Sequence, residues 1–451
     1  MAGITDIVSV DITIQDSAPK AIEFDTIAVV CDAPFVGGRL YDVSPQGLAA
    51  MASDGFTSWS RGKQIVSKMS AQSGGAAQAY VWGRTAQQTQ ALELKPDLTL
   101  LGVGKVIEGS VSYGGVTSPI SVTVAVATVD AICDALKVAF DASPAGVAGA
   151  ISATDNATAT KLLISNAVPG TFVLLDGFGK AIQLEDVSAA GTDFAGELAA
   201  MKAELGESVY GLLIDGFSQT EIALAAAFAS ANNMIFLGQS ADDEILTAQT
   251  DDVASALSLA TNHRANVVVS RYMSGDLAAA WLGRQLGQVP GSSNWAMQTL
   301  SDVPADVFTP AAHAFARGKR ALTYTTDRNV AHTWDGWAAS GRYFDITHGV
   351  DALKADIETR EYQVLLNSEK IGFNATGRSK FESALRASLV AAEGDIGVPG
   401  LIEPGWTVTP PDLTKTSPVD KAARVMRTFS WNAVMTGAVN SVQIAGTLRL
   451  T

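Results

Sequence analysis

The chain is poor in the residue types from which most active sites are built. Its 451 residues include only two cysteines and four histidines, and 17% are charged against 47% hydrophobic. Cys31 and Cys133 each lie inside an apolar run, Ile27 to Cys31 and the helical stripe Val129, Ile132, Cys133, Leu136 and Phe140. They read as buried free thiols of a protein made in a reducing compartment. His263, His313, His332 and His348 show neither His-x3-His nor Cys/His spacing, so no metal site is expected and they read as surface or hydrogen-bonded structural residues. Lys and Arg number 31 against 46 Asp and Glu, a formal charge of −15. That balance argues against a nucleic-acid binder, whose footprint is a basic face or stripe. No stretch approaches 18 uninterrupted apolar residues, the Ala-rich segment from Ile222 to Ala231 coming closest, so no membrane insertion is expected. The first residues, Met1 to Asp6, lack a basic region followed by an apolar one, which points to a cytosolic origin without export by the usual route.

Catalytic fingerprints are also missing. The strand ends Asp215-Gly216-Phe217, Gly238-Gln239-Ser240 and Ser270-Arg271 are where an α/β fold holds its ligands. None is followed by the Gly-x-Gly-x-x-Gly that lets a backbone approach a pyrophosphate. The nearest approach to a phosphate loop, Gly55 to Gln64, has the wrong spacing and a Gln where a metal-binding hydroxyl belongs. No Gly-x-Ser-x-Gly turn presents a serine nucleophile. Asp302, Asp306, Asp327, Asp335 and Asp345 read as solvated loop carboxylates. A chain with this much apolar and this little charged surface is expected to have part of it covered in the working state.

What the sequence has is pattern. Val8, Val10, Ile12 and Ile14 alternate with polar residues at one end, and Val442, Ile444, Leu448 and Leu450 do so at the other, both by strict period two. Terminal residues commonly fray, because short segments bury too little to offset about 1–2 kcal/mol per residue of ordering entropy. These two segments are built to pair. Between them, Thr26 to Cys31 reads as an apolar strand, Ser58 to Ala71 as a helix and Ala79 to Trp82 as a strand. Later come Ser208 to Ile214, Asn233 to Leu237 and Asn266 to Ser270, separated by helices at Thr220 to Ala231 and Asp252 to Asn262. Strands separated by such helices imply parallel pairing with right-handed crossovers. The texture changes between about 89 and 193, where a hairpin turns at Gly114-Gly115, a helix runs from Val129 to Phe140 and short strands follow at Lys161 to Ser165 and Thr171 to Leu175. Helices follow at Leu277 to Gln288, Val350 to Asn367 and Lys380 to Glu393. Gly394 to Pro418, with five prolines, reads as a linker. Val425 to Trp431 reads as a strand that pairs antiparallel with the terminal one.

From residue 277 onward the chain resembles the tail sheath proteins of contractile-tailed bacteriophages. The resemblance is carried by Ala278-Ala279-Ala280-Trp281-Leu282-Gly283 leading to Pro290-Gly291-Ser292 and Trp295, and by Gly341-Arg342-Tyr343-Phe344-Asp345. It continues in the helix Asp351 to Asn367 with Lys370-Ile371-Gly372-Phe373, and in Gly437-Ala438-Val439-Asn440-Ser441-Val442. Val66 to Gly83 is similar to the helix, small-residue turn and strand of that family. At Val439-Asn440 the chain departs from the Ile-His usual in the family's closing motif. The resemblance implies an α/β main domain (19–88 with 194–435), an inserted outward-facing α+β domain (89–193) and strand arms at 1–18 and 436–451.

It also implies a virion structural protein of the tail, assembled in the host cytoplasm, without cofactor or enzymatic activity. Such subunits stack as hexameric rings around a tail tube, meet baseplate and tail terminator proteins, and contract to drive the tube through the host envelope. Their terminal arms add strands to neighbouring subunits' sheets. Lys415, Lys421, Arg424 and Arg427 form a local basic cluster in an acidic chain, suited to face an acidic tube or to lie on a solvated strand face. Two other classes stay open on the residues alone: an α/β enzyme of unrecognised chemistry, and a surface-layer or adhesin lattice protein.

Overall fold

A computed structural model describes residues 24–85, 89–143, 146, 151–155, 160–166, 171–179, 181–206, 208–395, 398–427 and 429–440. The chain opens with β1 (Thr26–Cys31), β2 (Gly37–Asp42), α1 (Pro45–Ser53), α2 (Arg61–Ser70) and β3 (Gln78–Gly83). It then builds β4 (Gln90–Pro96), β5 (Val106–Tyr113), β6 (Val116–Thr123), α3 (Val129–Asp141), β7 (Ile151–Asp155), β8 (Leu162–Asn166), β9 (Leu174–Asp176) and β10 (Ile182–Asp186). Next come α4 (Phe194–Leu205), β11 (Gly211–Ile214), α5 (Gln219–Ala231), β12 (Ile235–Ser240), α6 (Val253–Leu259), β13 (Ala265–Val269), α7 (Leu277–Leu286) and α8 (Pro310–Gly318). The hairpin β14 (Leu322–Asp327) and β15 (Val330–Trp334) and the long helices α9 (Phe344–Leu366) and α10 (Ala375–Ala392) follow. The last elements are β16 (Gly394–Asp395), β17 (Val398–Pro399), β18 (Thr407–Thr409), α11 (Pro418–Ala422) and β19 (Ser430–Asn432).

Eight strands form the main sheet in the order β15-β14-β13-β12-β11-β1-β3-β2. β3, β1, β11, β12, β13 and β14 run parallel, and the outer strands β2 and β15 are antiparallel. All six residues of β1 are buried, as a parallel strand covered on both faces requires. Period two divides them: Ile27, Val29 and Cys31 enter one core, and Ala28 and Val30 enter the other. The first core is filled from α1, α2 and α7 by Met51, Ile65, Met69 and Trp281, and the second from α4, α5 and α6 by Leu198, Ile222, Ala225 and Leu257. This is the α/β fold that the alternation of strands and helices implies.

The β4–β10 segment has a core of its own. β10, β4, β8 and β7 make a four-stranded antiparallel sheet, and β6, β5 and β9 a three-stranded one. α3 packs Ile132, Leu136 and Phe140 against them, capped by the Thr128 hydroxyl accepting from the Ala131 amide. The β5–β6 turn does fall at Gly114-Gly115, both with positive φ (59° and 83°), the geometry a two-residue hairpin turn needs. Phe217, Ala241 and Met273, just beyond β11, β12 and β13, belong to this same core. The segment is therefore seated on the carboxyl ends of the main-sheet strands.

A fourth core joins α9 and α10 through Leu353, Ile357, Leu385 and Leu389, extended by Leu401, Ile402 and Val408. Here two sequence expectations are corrected. Gly394 to Pro418 is not a plain linker: it holds β16, β17 and β18, because Pro404, Pro410 and Pro411 flank the short strand β18 and leave its own residues free to pair. The strand expected at Val425 to Trp431 is confined to Ser430–Asn432 and pairs with Thr407–Thr409. The terminal strand proposed as its partner lies outside the described residues.

Candidate functional site

The main sheet reverses direction of winding between β1 and β11, the place where open α/β sheets hold ligands. In this chain that crevice is filled by buried charge. Arg84, one residue beyond β3, donates from Nη2 to Asp215 Oδ1 (2.7 Å) and from Nη1 and Nη2 to Glu221 (3.1 Å each). Asp215 Oδ2 also accepts from the Asp32 amide at 2.7 Å, and Glu221 Oε1 from the Gly191 amide at 2.7 Å. Burial opposes the charge on Arg84, and Asp215 and Glu221 more than offset it, so the guanidinium stays ionised. Beside this triad Arg61 grips Asp276, which starts α7 from a left-handed backbone (φ 45°). The space left among Arg61, Phe217, Gln239 and Asp276 is about 10 Å³, at the lower limit for one water.

Other strand-end residues singled out in the sequence have structural partners. Gln239 Nε2 donates to the Tyr272 carbonyl (3.3 Å), Arg271 pairs with Asp243 (2.6 Å) and Phe217 lies in the β4–β10 core. Of the five expected loop carboxylates, Asp302 and Asp327 are exposed, Asp335 pairs with Arg317 (2.7 Å), and Asp345 lies half-buried in the first turn of α9 and not in a loop. Asp306 corrects the expectation of a solvated group: it is buried, accepts from the Arg271 amide (3.2 Å) and is pushed up to about 6 by desolvation.

The other end of the sheet anchors α9. Asp351 accepts from Tyr210 Oη (2.7 Å) and from Arg264 Nη1 (2.6 Å) and Nη2 (2.9 Å), residues that immediately precede β11 and β13. Next to it His348, pushed down to about 3 by burial, stacks neutral on Tyr210 at 5.3 Å. The first described residue, Phe24, packs its ring 4.8 Å from Tyr210 and 5.8 Å from His348. The last, Asn440, accepts from Asn294 Nδ2 at 2.6 Å, beside Trp295, which stacks on Phe344 at the start of α9. Both ends of the described chain thus converge on the first two turns of α9.

From there a ribbon runs over the α9–α10 pair. Thr436 donates its amide to Leu401 (2.9 Å) and Glu403 to Val434 (2.8 Å), and β18 continues the ladder with β19. Val408, Phe429 and Trp431 press one face onto α9 and α10. No third strand lies on either edge of the β18–β19 pair among the described residues.

The eight residues assigned to strand arms, Val8, Val10, Ile12, Ile14, Val442, Ile444, Leu448 and Leu450, lie outside the described residues. The four basic residues share one surface stretch. Lys415 ends a single 3-10 turn and is 85% exposed, with Nζ 3.7 Å from Asp412. Arg427 Nε lies 2.8 Å from Asp420. Lys421 on α11 and Arg424, in a left-handed turn (φ 60°), are exposed and make no ion pair among the described residues. Asp412 and Asp420 partly neutralise the cluster, which the count of cations alone did not convey. Sequence reading missed the Arg84 triad, since nothing local marks an arginine and two acids 131 and 137 positions away as partners. It also missed β18, a three-residue strand among prolines.

No protein-family model and no curated protein matches the chain. Among solved structures it is similar to the sheath tail protein of Desulfitobacterium hafniense, with 11% identity, a TM-score of 0.46 and coverage of 89% of this chain and 93% of that one. It is also similar to a chain of the six-fold symmetrised baseplate of the anti-feeding prophage, with 14% identity, a TM-score of 0.42 and coverage of 57% and 74%.

Proposed function

We propose that this chain is the structural subunit of a contractile tail sheath, held to its copies by strands exchanged from both ends. The observation that carries the reading is the convergence of Phe24 and Asn440 on the start of α9, beside a two-stranded ribbon that has no third strand among the described residues. Period-two strands leaving such a corner are placed to add to the ribbon of a neighbour, main-chain hydrogen bonds giving attachment and alternate side chains giving register. The motifs from Ala278 to Asn440 that resemble the sheath family support the same reading, as does the ligand crevice filled by the Arg84 ion pairs among the described residues.

In this reading 1–18 and 436–451 are the arms, although Thr436 and Asn440 are still tied to their own subunit. The 89–193 segment is the outward-facing domain and the rest forms the main domain. Each of Val8, Val10, Ile12 and Ile14 buried in a neighbour contributes about 1.5–3 kcal/mol before ordering costs. One such joint is modest. Two per subunit make later contacts intramolecular and give a lattice its cohesion. Stacked six-membered rings around a tube, contraction with arms kept paired, and a tube-facing role for Lys415, Lys421, Arg424 and Arg427 complete the proposal, with tube, baseplate and terminator proteins as partners. Deleting residues 1–16 tests it. The truncated chain is expected to keep the far-UV circular dichroism of the full chain and to lose polymerisation; normal tubes from the truncated chain would remove that arm from the account.

A further inference from the structure

The β4–β10 unit meets the body along a buried seam with more carboxyls than cations. From the unit, β10 brings Glu185 and Asp186, and β4 brings Glu93 and Lys95. From the body, the turn after β12 brings Asp242, Asp243 and Glu244, and the start of α6 brings Asp251 and Asp252. Among the described residues each of the cations there is already committed. Lys95 lies 2.5 Å from Glu185 and 3.8 Å from Glu244, Arg271 is 2.6 Å from Asp243, Lys319 is 2.7 Å from Asp252, and Lys161 pairs with Glu93. Arg84, at the root of the unit, is held by Asp215 and Glu221.

Three acids make no ion pair among the described residues: Asp251 is exposed to water, and the other two are buried. Asp186, 5% exposed, accepts from the Ser188 amide (2.9 Å), and Asp242, 1% exposed, accepts from Gln219 Nε2 (2.9 Å) and the Glu244 amide (2.8 Å). Neither makes an ion pair among the described residues. A carboxylate buried without a cation and facing other carboxylates is costly, and the economical remedy is a proton. The seam itself is closed by the Leu184 amide donating to Asp243 Oδ2 (3.1 Å) and by the Asp176–Tyr272 bridge.

We propose that this seam is a proton-operated latch: it closes with protons held on Asp186 and Asp242, and loss of those protons loosens the β4–β10 unit from the body. The latch is a property of the single chain and holds whether or not the chain polymerises. Burial pushes Asp242 up to about 7, with Glu185, Glu244 and Asp252 adding to it against the amide of Glu244. Burial likewise pushes Asp186 up to about 6, with Glu221 and Glu185 adding to it against the bonds from Ser188. In an opened seam both groups meet water and return to the ordinary carboxyl range, so opening releases protons. Stabilisation of the closed seam is therefore complete below the ordinary range and is lost as pH rises to about 6 for Asp186 and about 7 for Asp242.

Hydrogen exchange of the full chain, read by mass spectrometry at about pH 5.5 and about pH 7.5 and corrected for the intrinsic exchange rate, tests the latch. The linkage predicts that protection of the peptides spanning 182–186 and 243–246 falls about a hundredfold over that interval. Peptides spanning β12 and β13 serve as the internal check on folding. In Asp242→Asn, which keeps the amide-accepting oxygen, only about a fourfold fall remains, and in Asp186→Asn about twentyfold. Seam protection that does not change with pH in the parent chain would overturn the proposal. So would fully folded Asp242→Asn and Asp186→Asn variants whose profiles superimpose on the parent's.

Discussion

A guanidinium buried between two carboxylates is held by contacts that cannot be removed singly. Arg84 is 3% exposed, its Asp215 and Glu221 partners are fully buried, and it also lies over the Phe194 ring at 4.7 Å. Replacing Arg84 with Met keeps most of the volume but strands two acids in the core. The variant is expected to lose about 3–5 kcal/mol of stability, read as a lower urea midpoint. Such residues were hard to find in the sequence because their partners are set by sheet order. Arg84 follows β3, Asp215 follows β11 and Glu221 opens α5, and only the parallel pairing through β1 brings them together. Cys31 and Cys133, by contrast, were readable as buried residues because each sits in an apolar run whose face decides its burial.

Elements with a strong period were legible and those without one were not. α5, α6, α9 and α10 fall where apolar spacing put them, although α9 begins at Phe344 and α10 at Ala375, earlier than the stripes alone indicate. The start of α10 is set by a cap instead: Asn374 Oδ1 accepts from the Gly377 amide at 2.8 Å. Asn374→Ala is expected to cost about 1 kcal/mol, measured by thermal unfolding, and to fray the first turn of the helix. The hairpin β14–β15 escaped notice because its strands are rich in Thr and its turn is Arg328-Asn329, without glycine. Both residues nonetheless adopt positive φ (48° and 68°), as a tight hairpin requires. The strands of the β4–β10 unit were partly read, since β4 and β10 mix apolar and charged residues whose ion pairs lie along the seam.

At the scale of the whole molecule, the main sheet has two different ends. Its carboxyl ends carry the β4–β10 unit through Phe217, Ala241 and Met273, and its amino ends carry α9 through Tyr210 and Arg264. The first end is covered by that unit. The second holds Phe24, Asn440 and the β18–β19 ribbon near the start of α9. A body whose switch-point crevice is filled by ion pairs and whose first and last described residues lie near one corner is suited to being a repeated part. If copies of this chain join through the residues beyond Phe24 and Asn440, electron microscopy of the purified chain over a rising concentration series shows hexameric rings or hollow tubes that grow with concentration; a uniform monomer at every concentration, or planar sheets in place of tubes, rules the joint out.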